Sequence, residues 1–145
     1  MKRSSRLSIA LHALVHLHAQ PGKALTSARL ATCLMTNPVV VRRVLGALRE
    51  AGIVEASKGP HGGWALVRSA DDISLRDVHD AMGERLLVRT ESDPGDRGCA
   101  IVRSVDRVMQ DFLDDAEALL AARLARVRLS DMAGEANGAG FPSLV

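Results

Sequence analysis

The 145-residue sequence has few aromatic residues, few cysteines and no acidic residue before Glu50. Aromatics make up 2% and Tyr is absent, which argues against single-strand nucleic-acid modules that stack bases on aromatic side chains. Two cysteines, Cys33 and Cys99, are too few for a disulfide framework. No apolar run approaches the roughly 18 residues of a membrane span, and no signal-peptide pattern opens the chain. We therefore expect a cytoplasmic globular protein.

The charge is distributed unevenly along the chain. Residues 1–68 contain ten Lys or Arg and two acids, a net charge of +8. Residues 69–145 contain nine Lys or Arg and fifteen acids, a net charge of −6. This separation indicates a polyanion-binding N-terminal half joined to an acidic, solvated half. A basic membrane-surface helix is the weaker alternative, because the basic residues are spread over several short segments.

The segment 36–52 predicts a helix with its own start and stop signals. Asn37 is suited to the N-cap, Pro38 to the first helical position and Gly52 to the residue after the helix. The helical spacing places apolar residues on one face: Val41, Val44, Leu45 and Leu48. The opposite face holds Val39, Arg43, Gly46 and Glu50, with Arg42 beside them. Taken alone, this pattern fits an anion-binding helix and an ordinary solvated helix about equally.

The order of the predicted helices and strands favours an anion-binding helix over an ordinary solvated one. Helices are predicted over residues 5–19 and from Thr26 or Ser27 to residue 34, and strands over residues 53–57 and 64–68. Two short helices joined by a few residues and followed by a hairpin predict a mainly α fold, a winged helix-turn-helix over residues 1–82.

This fold predicts double-stranded DNA as a partner. The predicted DNA-binding residues are Asn37, Val39, Arg42, Arg43, Gly46, Lys58, Gly59, His61 and Gly62. Arg43 is the candidate for a base contact, and Gly46 would allow close approach. Asn37, Lys58 and His61 would contact phosphate or the minor groove. A plain hairpin turn, or an interaction module that binds an acidic partner, remains the alternative.

The C-terminal part predicts a short helix over 75–82 that is capped by Ser74, a loop over 83–98 and a long helix over 99–132. Apolar residues recur along the long helix at alternating spacings of three and four: Val102, Val105, Met109, Phe112, Ala116 and Leu119. This pattern predicts a dimerisation helix, with packing inside one chain as the alternative. Residues 133–145 are predicted to be a disordered tail.

His12 and His16 have the i, i+4 spacing of two zinc ligands. The Glu of the HExxH motif is missing, because position 13 is Ala13, and no third ligand is evident. We expect two helix histidines without a metal and no enzyme, although a regulatory metal stays open.

Three segments carry a family resemblance: NPVVVRRVLGALREAGIV from residue 37, SKGPHGGWAL from residue 57 and ISLRDVHDAM from residue 73. The chain resembles the Rrf2 family of bacterial winged-helix transcription regulators over about residues 1–130. The resemblance implies a homodimer whose long helix crosses between subunits, and two winged helices on a palindromic operator. The resemblance also implies that the protein is a transcriptional regulator, which we expect to be a repressor.

Several members of that family sense iron–sulfur cluster status, nitric oxide or oxidants. Cluster-binding members carry three cysteines in the loop before the long helix and a ligand from helix 1, whereas this loop has only Cys99. We therefore expect no iron–sulfur cluster and a closer likeness to the cluster-lacking, YwnA-like branch. Cys99 precedes a helix, whose dipole lowers a thiol pKa, so it is a candidate redox or electrophile sensor. An unreactive cysteine is the alternative.

Overall fold

The computed structural model describes residues 5–85, 87 and 98–138, with side chains described to residue 135. The chain divides into two compact units, one made of Met1–Glu84 with Ala125–Val145 and the other of Arg85–Leu124. Most of the loop predicted over residues 83–98 lies outside the described residues.

The first unit begins with three helices, α1 (Arg6–Ala19), α2 (Ser27–Leu34) and α3 (Pro38–Glu50). Polar side chains cap all three, and the caps of α2 and α3 are those that the sequence predicts. The Thr26 hydroxyl accepts from the backbone N–H of Arg29 at the start of α2. The Asn37 side-chain oxygen accepts from the backbone N–H of Val39 at 2.8 Å, directly before Pro38.

Two residues with positive φ mark the ends of α2 and α3. Met35 ends α2 in the left-handed region at φ 52°, and its side chain is exposed. Gly52 has φ 73° just after α3, and the next N–H, of Ile53, donates to the Leu48 carbonyl at 3.0 Å. A left-handed residue after a helix is the reason that glycine suits this position.

A hairpin follows directly, formed by β1 (Val54–Ser57) and β2 (Gly63–Leu66). The strands pair antiparallel with Val54 opposite Leu66 and Ser57 opposite Gly63. Both predicted strands are confirmed with small shifts at their ends. Helix-turn-helix followed by hairpin is the winged-helix fold, and the structure is mainly α as predicted.

The core of this unit lies where the three helices and the hairpin base meet. Its largest side chains with almost no exposure include residues of α1, α2 and α3, the residue before β1 and two residues further along the chain: Leu14, Leu30, Leu45, Leu48, Ile53, Ile73 and Met82. All four residues of the predicted apolar face of α3 are buried at 1% exposure or less. The face that this burial leaves outward is the one predicted to bind DNA.

Helix α4 (Leu75–Met82) closes the core and begins with a reciprocal cap. The Asp77 N–H donates to the Ser74 hydroxyl, and the Ser74 N–H donates to the Asp77 carboxylate, both at 3.0 Å. This confirms the predicted cap. Burial alone would raise the pKa of Asp77, but those Ser74 bonds and the Arg68 and Arg128 charges lower it overall.

The prediction of one helix over residues 99–132 is wrong at its C-terminal end. The chain forms α5 (Ala100–Arg126) and, after a break, α6 (Leu129–Gly138). The break occurs because residues 127–129 pair with the segment before α4. The Leu75 N–H donates to the Val127 carbonyl at 2.8 Å, and the Leu129 N–H donates to the Ile73 carbonyl at 2.9 Å.

The predicted disordered tail is also wrong for residues 133–138, which belong to α6. Leu129 and Ala133 are 2% and 4% exposed, so burial of this face holds α6 on the first unit. Residues 139–145 lie outside the described part of the chain.

Candidate nucleic-acid interface

The outward face of α3 carries the predicted contact residues. Arg42 and Arg43 are exposed, Val39 is 46% exposed and Gly46 is half-exposed. A Cβ added to Gly46 would meet no heavy atom within 4 Å, so nothing in the fold requires glycine there. This face is therefore basic, and its central position carries no side chain.

The charge of this face is not neutralised locally. Arg42 and Arg43 form no ion pair within the described ranges, and α3 has no acid in its first turn. Asn37, predicted to contact DNA, already uses its side-chain oxygen to cap α3. Its established contact is thus to the helix, and any DNA contact would use the remaining amide group.

The predicted wing contacts lie at the tip of the hairpin. Lys58, Gly59 and His61 are exposed. Gly59 has φ 103°, a conformation that favours glycine. A Cβ on Gly62 would lie 2.5 Å from the Ser57 carbonyl oxygen, so the hairpin itself requires this glycine. The geometry of the hairpin thus accounts for glycine at position 62 without any contact to DNA.

Sequence reasoning missed a junction between the wing and the two helices. The Trp64 Nε1–H donates to the Ser27 hydroxyl at 2.9 Å, and the Arg49 guanidinium carbon lies 5.8 Å from the centre of the indole ring. The signal available in the sequence was that Trp64 is the sole tryptophan and follows two glycines. The predicted residues of α3 and of the wing all belong to the first unit, and this junction connects the two sets.

Cys99 is exposed immediately before α5. Hydrogen bonds from the backbone N–H groups of Val102 and Ile101 lower the pKa of its thiol. The thiolate is therefore more populated at neutral pH than in an ordinary cysteine. The other cysteine, Cys33, is half-buried in α2.

Helix α5 presents the predicted dimerisation residues mostly to solvent. Val105, Met109, Phe112 and Leu119 are exposed at 42–74%, whereas Val102 and Ala116 are half-buried. Two further apolar residues that the sequence pattern did not select, Ile101 and Val108, are also exposed. At 100° per residue the large exposed side chains fall on one face of the helix.

His12 and His16 line an open groove of about 490 Å³ between α1 and α6, with Leu11, Val15 and Met132 among its apolar walls. His12 Nδ1 lies 3.4 Å from the Ser8 hydroxyl. Burial, and then the neighbouring His12, lower the pKa of His16. Across the described residues, no three His, Cys, Asp or Glu side chains lie together as a metal-binding group.

Within the parts of the chain that the structure describes, no helix combines the length and apolar character of a transmembrane segment.

Fold and surface together define a winged-helix protein with the features of a DNA-binding domain. The family model described as Rrf2, iron-dependent transcriptional regulator, matches residues 3–135. The chain belongs to the Rrf2 family of transcriptional regulators.

Individual relatives agree with this assignment. YwnA of Bacillus subtilis (strain 168), named as an HTH-type transcriptional regulator, is 28% identical over 130 residues, which are 89% of this chain and 95% of YwnA. A crystal structure of a transcriptional regulator, so named, from Lactobacillus plantarum has a TM-score of 0.78 at 23% identity, over 93% of this chain and 91% of the other. IscR of T. potens has a TM-score of 0.71 at 20% identity, over 99% and 93%. The two structures support the fold.

The donor set of this chain does not fit the iron–sulfur cluster that other family members bind. Such clusters are held chiefly by cysteine thiolates, and the whole sequence contains only Cys33 and Cys99. Cys33 belongs to the first unit and Cys99 to the second, and Cys99 is the sole cysteine near α5. Two cysteines in one chain are fewer than the set of thiolates that commonly holds such a cluster.

Proposed function

We propose that the protein is a homodimeric, sequence-specific DNA-binding repressor of transcription, with Cys99 as a redox or electrophile sensor. The observation that carries this proposal is the outward face of α3, where exposed Arg42 and Arg43 flank the open position at Gly46. We further propose a cytoplasmic location, no enzymatic activity and no resident cofactor.

Helix α3 would enter the major groove. An α-helix with side chains is about 10–12 Å wide, and the groove is about 12 Å wide. Arg43 would donate two hydrogen bonds to a guanine edge, whereas Arg42 and the cap at Asn37 would contact the backbone. Val39 and Gly46 would face the floor of the groove, where small or apolar residues permit close approach.

The wing would contact the flanking phosphates or minor groove. Lys58 provides a positive charge at the hairpin tip, and His61 adds one when protonated. The glycines Gly59 and Gly62 keep the tip narrow. A contact of this kind positions the protein on DNA and carries little sequence information.

Two copies would associate through the exposed apolar face of α5. A twofold dimer presents two copies of α3, which predicts a palindromic site with half-sites about 34 Å apart or a multiple of that distance.

A binding assay on duplex DNA tests the proposal, using genomic fragments that the purified protein enriches and random duplex as reference. Arg43→Ala should lose roughly 1–3 kcal/mol of binding free energy for the selected fragment and little for random DNA. Lys58→Ala should weaken both alike. Arg76→Ala, which removes an exposed arginine of α4 paired with Asp80, serves as a charge-matched control. Equal losses on both duplexes for Arg43→Ala would contradict the base contact.

The salt dependence of binding tests the class of partner. Affinity for DNA should fall steeply as salt rises, because each neutralised phosphate releases counterions. A response that is flat with salt and with sequence would contradict the DNA-binding proposal and favour an interaction module for an acidic protein.

The sensor is tested with hydrogen peroxide. The Cys99 thiolate would attack one peroxide oxygen and become sulfenic acid, while the peroxide O–O bond breaks and the other oxygen leaves as hydroxide. Peroxide should change the DNA affinity of the wild type and leave Cys99→Ser unchanged. Cys33→Ser is the matched control and should respond like wild type. An unchanged affinity in the wild type would remove the sensor.

A further inference from the structure

We propose that Ser27 and Arg49 act together on Trp64 to fix the wing against α2 and α3, as positioning residues for DNA binding. This inference rests on the proposed function, because its consequence is the placement of Lys58. Ser27, Arg49 and Trp64 form this wing anchor.

The wing anchor lies close to the tip of the hairpin. Gly63 pairs with Ser57 at the end of the two strands, and Trp64 pairs with Ala56 in the next position. Lys58 directly follows Ser57. A restraint on Trp64 therefore acts within a few residues of the side chain that is proposed to contact phosphate.

The backbone at Trp64 is bonded outside the hairpin. The Leu25 N–H donates to the Trp64 carbonyl at 3.0 Å, and the Trp64 N–H donates to the Leu25 carbonyl at 2.8 Å. Leu25 comes so close that a Cβ on Gly63 would lie 2.6 Å from its carbonyl oxygen. Gly63 also has φ 148°, so this close approach depends on glycine.

The side chain of Trp64 connects both helices of the helix-turn-helix. Its Nε1–H donates at 2.9 Å to the hydroxyl of Ser27, the first residue of α2. The guanidinium of Arg49, in the last turn of α3, lies 5.8 Å from the ring centre, within the range of a cation–π contact. One half-buried indole thus contacts the start of α2 and the end of α3.

These contacts matter because a two-stranded hairpin has little stability of its own. The position of its tip must therefore come from the rest of the domain. If the wing anchor supplies that position, Lys58 meets a phosphate in a preorganised wing, and the ordering cost is not paid on binding. Arg49 then contributes to DNA binding through Trp64, which distinguishes it from Arg42 and Arg43.

A double-mutant cycle on DNA affinity tests the wing anchor. Lys58→Ala is measured alone, with Ser27→Ala and with Arg49→Gln. In either anchor variant, the loss of DNA affinity caused by Lys58→Ala should shrink by at least about twofold. The reason is that a displaced wing no longer places Lys58 on a phosphate. Arg76→Gln removes one exposed positive charge from α4, and in this control the effect of Lys58→Ala should stay the same. Additive effects in both anchor variants would overturn the proposal.

A second measurement needs no DNA. Trp64 is the sole tryptophan, so its fluorescence reports on the wing anchor directly. Acrylamide should quench Arg49→Gln and Ser27→Ala more strongly than wild type, and Arg76→Gln should match wild type. Unchanged quenching in both anchor variants would overturn the anchor.

The two measurements also separate this inference from the proposed function. A wild-type protein that binds no DNA would end the proposed function and, with it, the positioning role. The quenching result would still show whether Ser27 and Arg49 hold the indole. Thermal unfolding of each variant confirms that the comparison is made on folded protein.

Discussion

Replacing Gly46 with Ala should stabilise the protein and weaken its binding to DNA. Gly46 lies within α3, and an added Cβ would meet nothing within 4 Å. Alanine in a helix interior is more stable than glycine by about 0.5–1 kcal/mol, because glycine loses more backbone entropy on folding. For a domain of this size, that gain corresponds to a rise in melting temperature of roughly 2–6 °C.

The effect on DNA binding has the opposite sign and a different cause. The methyl group would project from the centre of the outward face of α3, between residues proposed to face the groove. If DNA packs closely there, one extra methyl group should cost about 1–3 kcal/mol, as overpacking does in a core. Affinity for a selected duplex should therefore fall roughly fivefold or more at fixed salt.

Gly134→Ala is the matched control. Gly134 lies within α6, and its added Cβ also meets nothing within 4 Å. This variant should gain similar stability without loss of DNA affinity. Thermal unfolding at one protein concentration and fluorescence anisotropy of a labelled duplex measure both effects. If Gly46→Ala is stabilised and binds DNA as well as wild type, the close approach of α3 to the groove is refuted.

Three further predictions concern stability. Gly63→Ala should lose roughly 1–3 kcal/mol of unfolding free energy in denaturant titrations, because a side chain there combines a positive φ with a clash at Leu25. The control Gly22→Ala should lose less, since Gly22 has φ 76° and open space around it. Equal losses in the two variants would exclude the clash. Because the pKa of Asp77 is lowered, the stability that its carboxylate contributes to the fold is complete above the ordinary value of 3.8 and disappears as pH falls through the lowered value. In Asp77→Asn, the free energy of unfolding should therefore depend less on pH in this range. Because the pKa of His16 is lowered in the folded protein, the unfolded chain takes up the proton first, and the free energy of unfolding should fall as pH drops through 6.5. This fall should be smaller in His16→Gln than in wild type or in the control His18→Gln. Identical pH curves for the three proteins would contradict the burial of His16.

Local signals account for the parts of the fold that could be predicted from sequence. The caps at Asn37 and Ser74 need only a side chain and an amide two or three residues away. Gly52 likewise ends α3 through its own backbone conformation. Because these interactions lie within one turn, the residue order alone specifies them.

The C-terminal break was not predictable in the same way. The apolar pattern of α5 continues through Val127 without a Pro or Gly to interrupt it. The helix ends because the backbone of residues 127–129 bonds to residues 73–75, more than fifty positions earlier. A prediction from local periodicity cannot contain this pairing.

The candidate site shows the same division. Arg42 and Arg43 could be assigned to the outward face from helical spacing, and the structure places them there. Gly62 was assigned to DNA because it lies in the wing, whereas the structure gives it a packing reason at Ser57. The wing anchor joins residues far apart in sequence, so no local pattern could indicate it.

We propose a dimer as the working unit, on the basis of the exposed face of α5 and the outward face of α3. Six large apolar residues of α5 are exposed in the single chain: Ile101, Val105, Val108, Met109, Phe112 and Leu119. Soluble monomers rarely leave a contiguous apolar surface of this kind uncovered, because its burial against a second copy is favourable. One recognition helix reads only a few base pairs, which is too little to specify a site in a genome. Covering α5 with its twofold mate would therefore both bury the apolar face and double the sequence that is read, and a charge placed at Phe112 should weaken operator binding through dimer dissociation alone.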